Sequence, residues 1–290
     1  MDMNIRKNKK GIIYILLAAF FFALMSFFVK EAGELPTMQK CFFRNLPAVF
    51  IAGALVAKSE TGFRIRRESR LPLLMRVGFG FMGIVCNFWA IDHLALSDAN
   101  MLNKTSPFFV IILSIFILKE KPTRFEWAGV IIAFIGVIFV AKPTEGLIDP
   151  AALVGLLGGF GAGAAYTFVR YLGRLGERPQ IIVFCFSSGT CLLSLPFMLA
   201  SYVPMQPWQI GSLLLAGAAG SCAQFSVTNA YQAAPAKEIS VFDYTQVIFA
   251  ALLGFVFFSE LPDIYSIIGY VIIIGVAAAN WIRANENAQA

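Results

Sequence analysis

Apolar residues run along this chain in long unbroken blocks, not in the alternation of a half-buried strand or the one-sided stripe of a soluble amphipathic helix. Polar residues gather in short clusters between the blocks. The first block, residues 11–29, is free of charge for 19 residues and follows a basic head of Arg6, Lys7, Lys9 and Lys10. Nine more follow at residues 36–57, 72–91, 99–118, 125–141, 151–172, 180–200, 208–231, 239–258 and 264–282. A hydrocarbon layer about 30 Å thick takes roughly 20 residues of helix, so the pattern predicts ten transmembrane helices. Residues 179–236 contain no Asp, Glu, Lys or Arg, and Pro204 and Pro207 supply the turn between the two spans within them. The first block is longer than the 7 to 15 apolar residues usual in a signal peptide, and no A-x-A-like site follows. It is expected to be a retained helix.

Composition agrees. Of 290 residues, 58% are hydrophobic and 14% charged, where a soluble domain carries about 25% charged residues. A large soluble domain is excluded, and the lipid bilayer is the solvent. The fold class expected is an all-α polytopic membrane protein. Cys41, Cys86, Cys185, Cys191 and Cys222 lie in or beside apolar blocks without metal-ligand spacing. They read as packing residues, with no metal and no cofactor implied.

A net charge of +6 in a soluble chain would point to nucleic acid; here its placement reports topology, and no nucleic-acid partner is expected. Ten spans put both termini on one side. Of 23 Lys and Arg residues, 17 then fall in segments on the side of the termini, 3 (Lys30, Lys40 and Lys142) on the other, and 3 (Arg44, Arg76 and Lys104) within spans. Basic residues accumulate in cytoplasmic loops, so both termini are expected in the cytoplasm.

The chain also resembles itself. Glu120-Lys-Pro122 recurs as Glu260-Leu-Pro262, and the same shift of 140 pairs Gly129 with Gly269, Phe109 with Phe249 and Asp98 with Glu238. After a three-residue slip, residues 83–88 pair with 220–225, which makes Asn87 and Gln224 mates. The halves, 1–145 and 146–290, hold five spans each. Because five is odd, the second half enters the membrane inverted, which is the architecture of alternating-access transporters.

The ordered set Cys41-Phe-Phe-Arg44, Pro107 thirteen residues before Glu120, Trp127-Ala-Gly129, Gly136-Val137, and its echo in Glu260, Gly269 and Gly275-Val276 resembles the drug/metabolite transporter superfamily, EamA type. The likeness covers nearly the whole chain. It implies ten helices around a central cavity lined by spans 1, 3, 4, 6, 8 and 9, moving small organic metabolites. Where such proteins often carry Glu-Pro in span 9, this chain has Gln246-Val247, so that carboxylate and kink are missing.

Charge buried at membrane depth is expensive and therefore a candidate for function. Arg44 lies about 12 Å into span 2 at 1.5 Å per residue and reads as a structural clamp on a peripheral helix. Lys104, beside Asn103, enters span 4 from the outer end; Asp243, beside Tyr244, enters span 9 from the inner end. Under the repeat Lys104 matches Tyr244 and Asn103 matches Asp243. Equal depths from opposite surfaces leave the two charges about 10–15 Å apart along the membrane normal, so contact requires a kink, which Pro107 permits. Two readings stand: they bracket the cavity and offer a cation and an anion to a zwitterionic cargo, or they form a structural pair.

Asp243 is also the best candidate proton carrier, the driving force being a gradient, exchange or proton coupling. Asn87, Trp89, Asn103, Tyr166, Gln224, Asn229, Tyr244 and Gln246 complete the expected cavity lining, and Arg170, one turn from Tyr166, is assigned to the inner mouth as a gate. Gly155, Gly159 and Gly163 give span 6 a small-residue stripe. Thr123 with Glu126 and Asp263 read as helix caps, and Glu120 and Glu260 as helix-end residues.

The expected function is secondary transport of a small polar metabolite, such as an amino acid, across the cytoplasmic membrane by a monomer or homodimer. No P-loop sequence is present to bring ATP. A multidrug exporter, a membrane-embedded lipid-modifying enzyme and a passive channel or receptor-like binding protein are the alternatives. The first expects an acid in span 1, which 11–29 lacks, and the second clustered acids or histidines, where this chain has His93 alone.

Overall fold

The computed structural model describes residues 2–119, 123–141, 149–234 and 242–289. Among the described residues eleven α-helices carry the fold: α1 (Asp2–Glu31), α2 (Thr37–Ala57), α3 (Arg70–His93), α4 (Leu96–Asn103), α5 (Ser106–Ile117), α6 (Arg124–Ala141), α7 (Pro150–Arg174), α8 (Pro179–Ala200), α9 (Pro207–Ala233), α10 (Thr245–Phe258) and α11 (Ile264–Gln289). No strand occurs among the described residues. Seven of the spans are long and apolar enough to cross a membrane, α4 and α5 counting together as Leu96–Ile117, and α6, α10 and α11 supply three shorter apolar segments. The protein is an all-α polytopic membrane protein. Glu120, Lys121, Pro122, Lys142, Lys237, Glu238, the start of span 9 and the 145/146 boundary lie outside the described residues, as does the Glu126 side chain of the expected capping box.

Proline marks the helix starts. Pro150, Pro179 and Pro207 sit in the first turns of α7, α8 and α9, where a missing N–H sacrifices no intrahelical bond. Asp149 accepts from Ala151 N, and Gln206 and Gln209 cap one another's backbone at the start of α9. Asp263 caps α11 as expected, accepting from Ser266 N at 2.8 Å.

The packing pairs obey the repeat. α3 lies on α7, and their mates α9 and α1 lie on each other; α5 lies on α7 as α10 lies on α1; α2 pairs with its mate α8, and α6 with its mate α11. Side-chain contacts between helix ends sort those ends onto two faces. Lys30 reaches Leu94 O and Glu260, Lys40 reaches Asp92, and Gln39 reaches Val203 O, so one face holds the end of α1, the loop between α3 and α4, and the end of α10. Arg66 reaches Leu175 O, Arg174 reaches Leu118 O and Arg178 reaches Gly62 O, so the other face holds the α2–α3 loop, the end of α5 and the α7–α8 turn. Span 1 therefore runs opposite to span 6, as five spans per half require. Arg283, near the end of α11, lies over the Phe125 ring at the start of α6, so both termini belong to this second, basic face.

Glycines set the closest approaches. A Cβ on Gly161 would stand 2.7 Å from Gly83 N and 2.9 Å from Phe79 O, backbone atoms that cannot swing aside. Gly161→Ala is expected to force α3 from α7 and to cost about 1–3 kcal/mol, as overpacking does, read as a lower Tm of the detergent-purified protein; an unchanged Tm would contradict this crossing.

Candidate functional site

Span 4 is interrupted within the membrane, and the described part of span 9 shows a turn at the mated position, Tyr244. α4 stops at Asn103 and α5 starts at Ser106, while α10 starts at Thr245 after Tyr244; the shift of 140 carries Lys104 and Thr105 onto Tyr244 and Thr245. A broken helix in lipid must satisfy its freed carbonyls internally. The same device does so on both sides. Thr105 Oγ1 donates to Leu102 O at 2.6 Å, and Thr245 Oγ1 donates to Phe242 O at 2.7 Å. Gly159 lets α7 cover the first break, since a Cβ there would stand 2.6 Å from Leu102 O.

The breaks bring the two buried charges together. Lys104 Nζ lies 2.7 Å from Asp243 Oδ2, with side chains 3% and 2% exposed. Straight helices would have kept them apart in depth; interruption at Lys104–Thr105, just before Pro107, removes that obstacle. Lys104 also stands 5.6 Å from the Phe22 ring centroid. Toward the opposite face, a polar string ties spans 1, 4 and 9: Ser26 Oγ donates to Asn100 Oδ1 at 3.1 Å, and Gln246 Nε2 donates to the same oxygen.

Beside this pair lies a cavity of about 60 Å³. Several waters fit in such a space. Phe22 and Met25 from α1, Gly83 and Asn87 from α3, and Asn103 at the end of α4 line one side. Ala162 and Tyr166 from α7, Gln224 from α9 and Gln246 from α10 line the other. These are the six spans that the family resemblance implies. Spans 2 and 7 contribute as well, through Arg44 and Phe186. Arg44 thus lies at the cavity wall, although its helix was expected to be peripheral.

Several expected lining residues stand elsewhere. Trp89 stacks on His93, with ring centroids 3.8 Å apart, and is absent from the wall, as is half-buried Asn229 on α9. Tyr244 belongs to an apolar cluster with Met101, Phe108 and Val130 because the break turns it away from the cavity. Arg170 is half-buried on α7, also off the wall. Tyr166 lines the cavity and stacks on Tyr231, centroids 5.0 Å apart.

Arg76 is the residue that sequence reasoning passed over. It is 2% exposed, donates to Gln224 Oε1 at 3.0 Å, and lies over the Phe186 ring at 4.0 Å. Arg44 is 1% exposed, donates to Asn45 Oδ1 at 2.7 Å and reaches Met25 Sδ at 3.0 Å. Both guanidiniums rest over glycines: a Cβ on Gly80 would stand 2.2 Å from Arg76 Nη1, and one on Gly220 2.5 Å from Arg44 Nη2. The signal for Arg76 was its charge inside a span.

Among the described residues, contacts between the halves occur at both faces. On the face away from the termini, Glu260 binds Lys30 and accepts from Leu96 N at 2.9 Å, while Lys40 pairs with Asp92 at 2.5 Å. On the basic face, Arg178 of the second half clamps the α2–α3 loop through Ser59 Oγ at 2.8 Å and Arg64 O at 3.0 Å. Contact at each face therefore joins one half to the other.

Comparison with known proteins fits this geometry. The model of the EamA-like transporter family matches residues 9–142 and again 149–281. The chain is 32% identical to the pseudopaline exporter CntI of Pseudomonas aeruginosa, over 92% of this chain and 94% of that one. It is 26% identical to an uncharacterized transporter of Helicobacter pylori, over 91% and 92% of the two chains. A crystal structure 15% identical in sequence shares the fold, with a TM-score of 0.72 covering 95% of this chain and 98% of the other. With the family matched in both halves, this chain belongs to the EamA-like transporter family and is an integral membrane transport protein.

Proposed function

We propose that this protein is a secondary transporter that carries a small polar organic metabolite across the cytoplasmic membrane by alternating access. The observation that carries the reading is the cavity lined by both inverted five-span halves, with contacts at each face that join one half to the other. Breaking the contacts at either face alone opens the cavity to one side, and the symmetry of the halves makes the two open states close in energy. The basic face then lies in the cytoplasm with both termini, and the halves divide near residue 145.

The cavity wall holds arginines, amides and a tyrosine, a set suited to reversible binding of polar cargo and unsuited to organic cations. This disfavours the multidrug reading. Asn87, Asn103, Tyr166, Gln224 and Gln246 contact the cargo; Lys104 and Asp243 hold the broken spans together in the occluded state, and proton arrival at Asp243 releases them. The exporter among the relatives makes outward movement the direction to test first.

The test is solute counterflow in proteoliposomes, after a thermal-shift screen of metabolites, which raise Tm when they bind the native state. Trans-loaded cargo is expected to accelerate uptake of labelled cargo saturably. Flux that rises linearly with concentration and ignores trans cargo would make the protein a channel.

A further inference from the structure

We infer that Arg44 and Arg76 together form an anion site, and that the cargo carries a carboxylate which they bind. This rests on the transporter reading and adds to it the chemical class of the substrate.

A buried guanidinium at membrane depth is several kcal/mol unfavourable unless paired or hydrated. Structural arginines meet that demand by filling their donors with carbonyls or carboxylates. These two do not. Arg44 leaves Nη2 without a partner, and its Nε faces only a thioether; Arg76 leaves Nε without a partner and relies on one amide oxygen and a ring face. Among the described residues no acid lines the cavity, and the acid bound nearby, Asp243, is taken by Lys104. Two positive charges with open donors thus face one small, largely apolar cavity, with no counter-anion on its wall among the described residues. Guanidinium matches the planar, two-oxygen geometry of a carboxylate.

The other unpaired atoms describe the rest of the cargo. Asn87 Oδ1 and Gln246 Oε1 are buried without partners, and both residues line the same cavity. They accept hydrogen bonds, so they suit an amino or hydroxyl group beside the carboxylate. The wall therefore fits an amino or hydroxy acid. Neither arginine is one of the helix-break charges, so the site is separate from the Lys104–Asp243 pair.

The experiment uses the full-length protein in proteoliposomes, screened by counterflow with four pools: amino and hydroxy acids, their amides and methyl esters, neutral sugars, and quaternary amines. Transport of an acid but not of its amide or ester is expected in the wild type. Arg44→Gln and Arg76→Gln are each expected to raise KM for that acid about 10- to 100-fold, the loss of a hydrogen bond to a charged group, with Arg44→Lys and Arg76→Lys in between. Should a Gln variant fail to fold, the acid-against-amide comparison in the wild type stands alone. An acid carried with unchanged KM by folded Gln variants would overturn the inference and make the arginines structural. So would transport confined to sugars or amines, which leaves the transporter reading intact. If no pool is transported, the transporter reading fails by itself; Tm of the purified protein with sodium glutamate, sodium lactate or sodium chloride then decides. Stabilisation by a carboxylate in the wild type and not in the Gln variants keeps the anion site, and equal response to all three salts removes it.

Discussion

Lys104→Met alone is expected to destabilise the fold by about 3–5 kcal/mol, the usual result of stripping one partner from a buried ion pair. Asp243 would lose its counter-ion at 2% side-chain exposure, and among the described residues its other oxygen, Oδ1, has no partner. Asp243→Asn should fare similarly, since Lys104 would then keep its charge at 3% side-chain exposure with the Phe22 ring 5.6 Å away. The double variant Lys104→Met/Asp243→Leu is the informative one. Replacing a whole buried pair by apolar groups is often neutral or stabilising, so its thermal midpoint should return to near the wild-type value. Four midpoints in one detergent, the wild type and three variants, measure this. A double variant as unstable as either single would mean that the charges are held by something other than each other.

Cross-linking the face away from the termini should abolish transport. Lys30 and Glu260 come from opposite halves, and Glu260 also fixes the start of α4 through Leu96 N. If cargo leaves or enters by parting these halves, a reducible cross-linker joining cysteines at 30 and 260 stops every cycle. Uptake should fall to the liposome background and return when the link is reduced. Unlinked Lys30→Cys/Glu260→Cys protein should keep turning over, with the closed face weakened by loss of a partly buried pair worth about 1 kcal/mol. Persisting uptake in fully linked protein would place the pathway elsewhere.

Much of this architecture is legible in the chain because lipid punishes error. A span must be long, apolar and alternately directed, so hydropathy and the sorting of basic residues locate the helices, and the recurrence at a shift of 140 exposes the repeat. The structure adds a backbone sign of the same shift, since Lys119 and Ser259 both adopt left-handed φ of 55° after α5 and α10. Contact between Lys104 and Asp243 was harder to read, because depth along straight helices argues against it. The clue was Thr105 and Thr245, mated hydroxyls placed where each helix breaks. Lining residues were the least legible. Residue type does not say which way a helix face turns, so Trp89 was expected at the cavity and packs on His93 instead. Arg76 had only its charge to announce it, and Asn100, which joins Ser26 to Gln246, had nothing beyond an amide in an apolar block.

The central claim is that one cavity faces each side of the membrane in turn. Its direct measurement is labelling of a single cysteine at Asn87, in a chain whose native Cys41, Cys86, Cys185, Cys191 and Cys222 have been replaced. A membrane-impermeant maleimide should modify it from either face, with saturating cargo protecting it from both. With 30 and 260 cross-linked, modification should come only from the face that bears the termini. Labelling from one face alone, whatever the state of the cross-link, would contradict alternating access and leave a one-sided pocket.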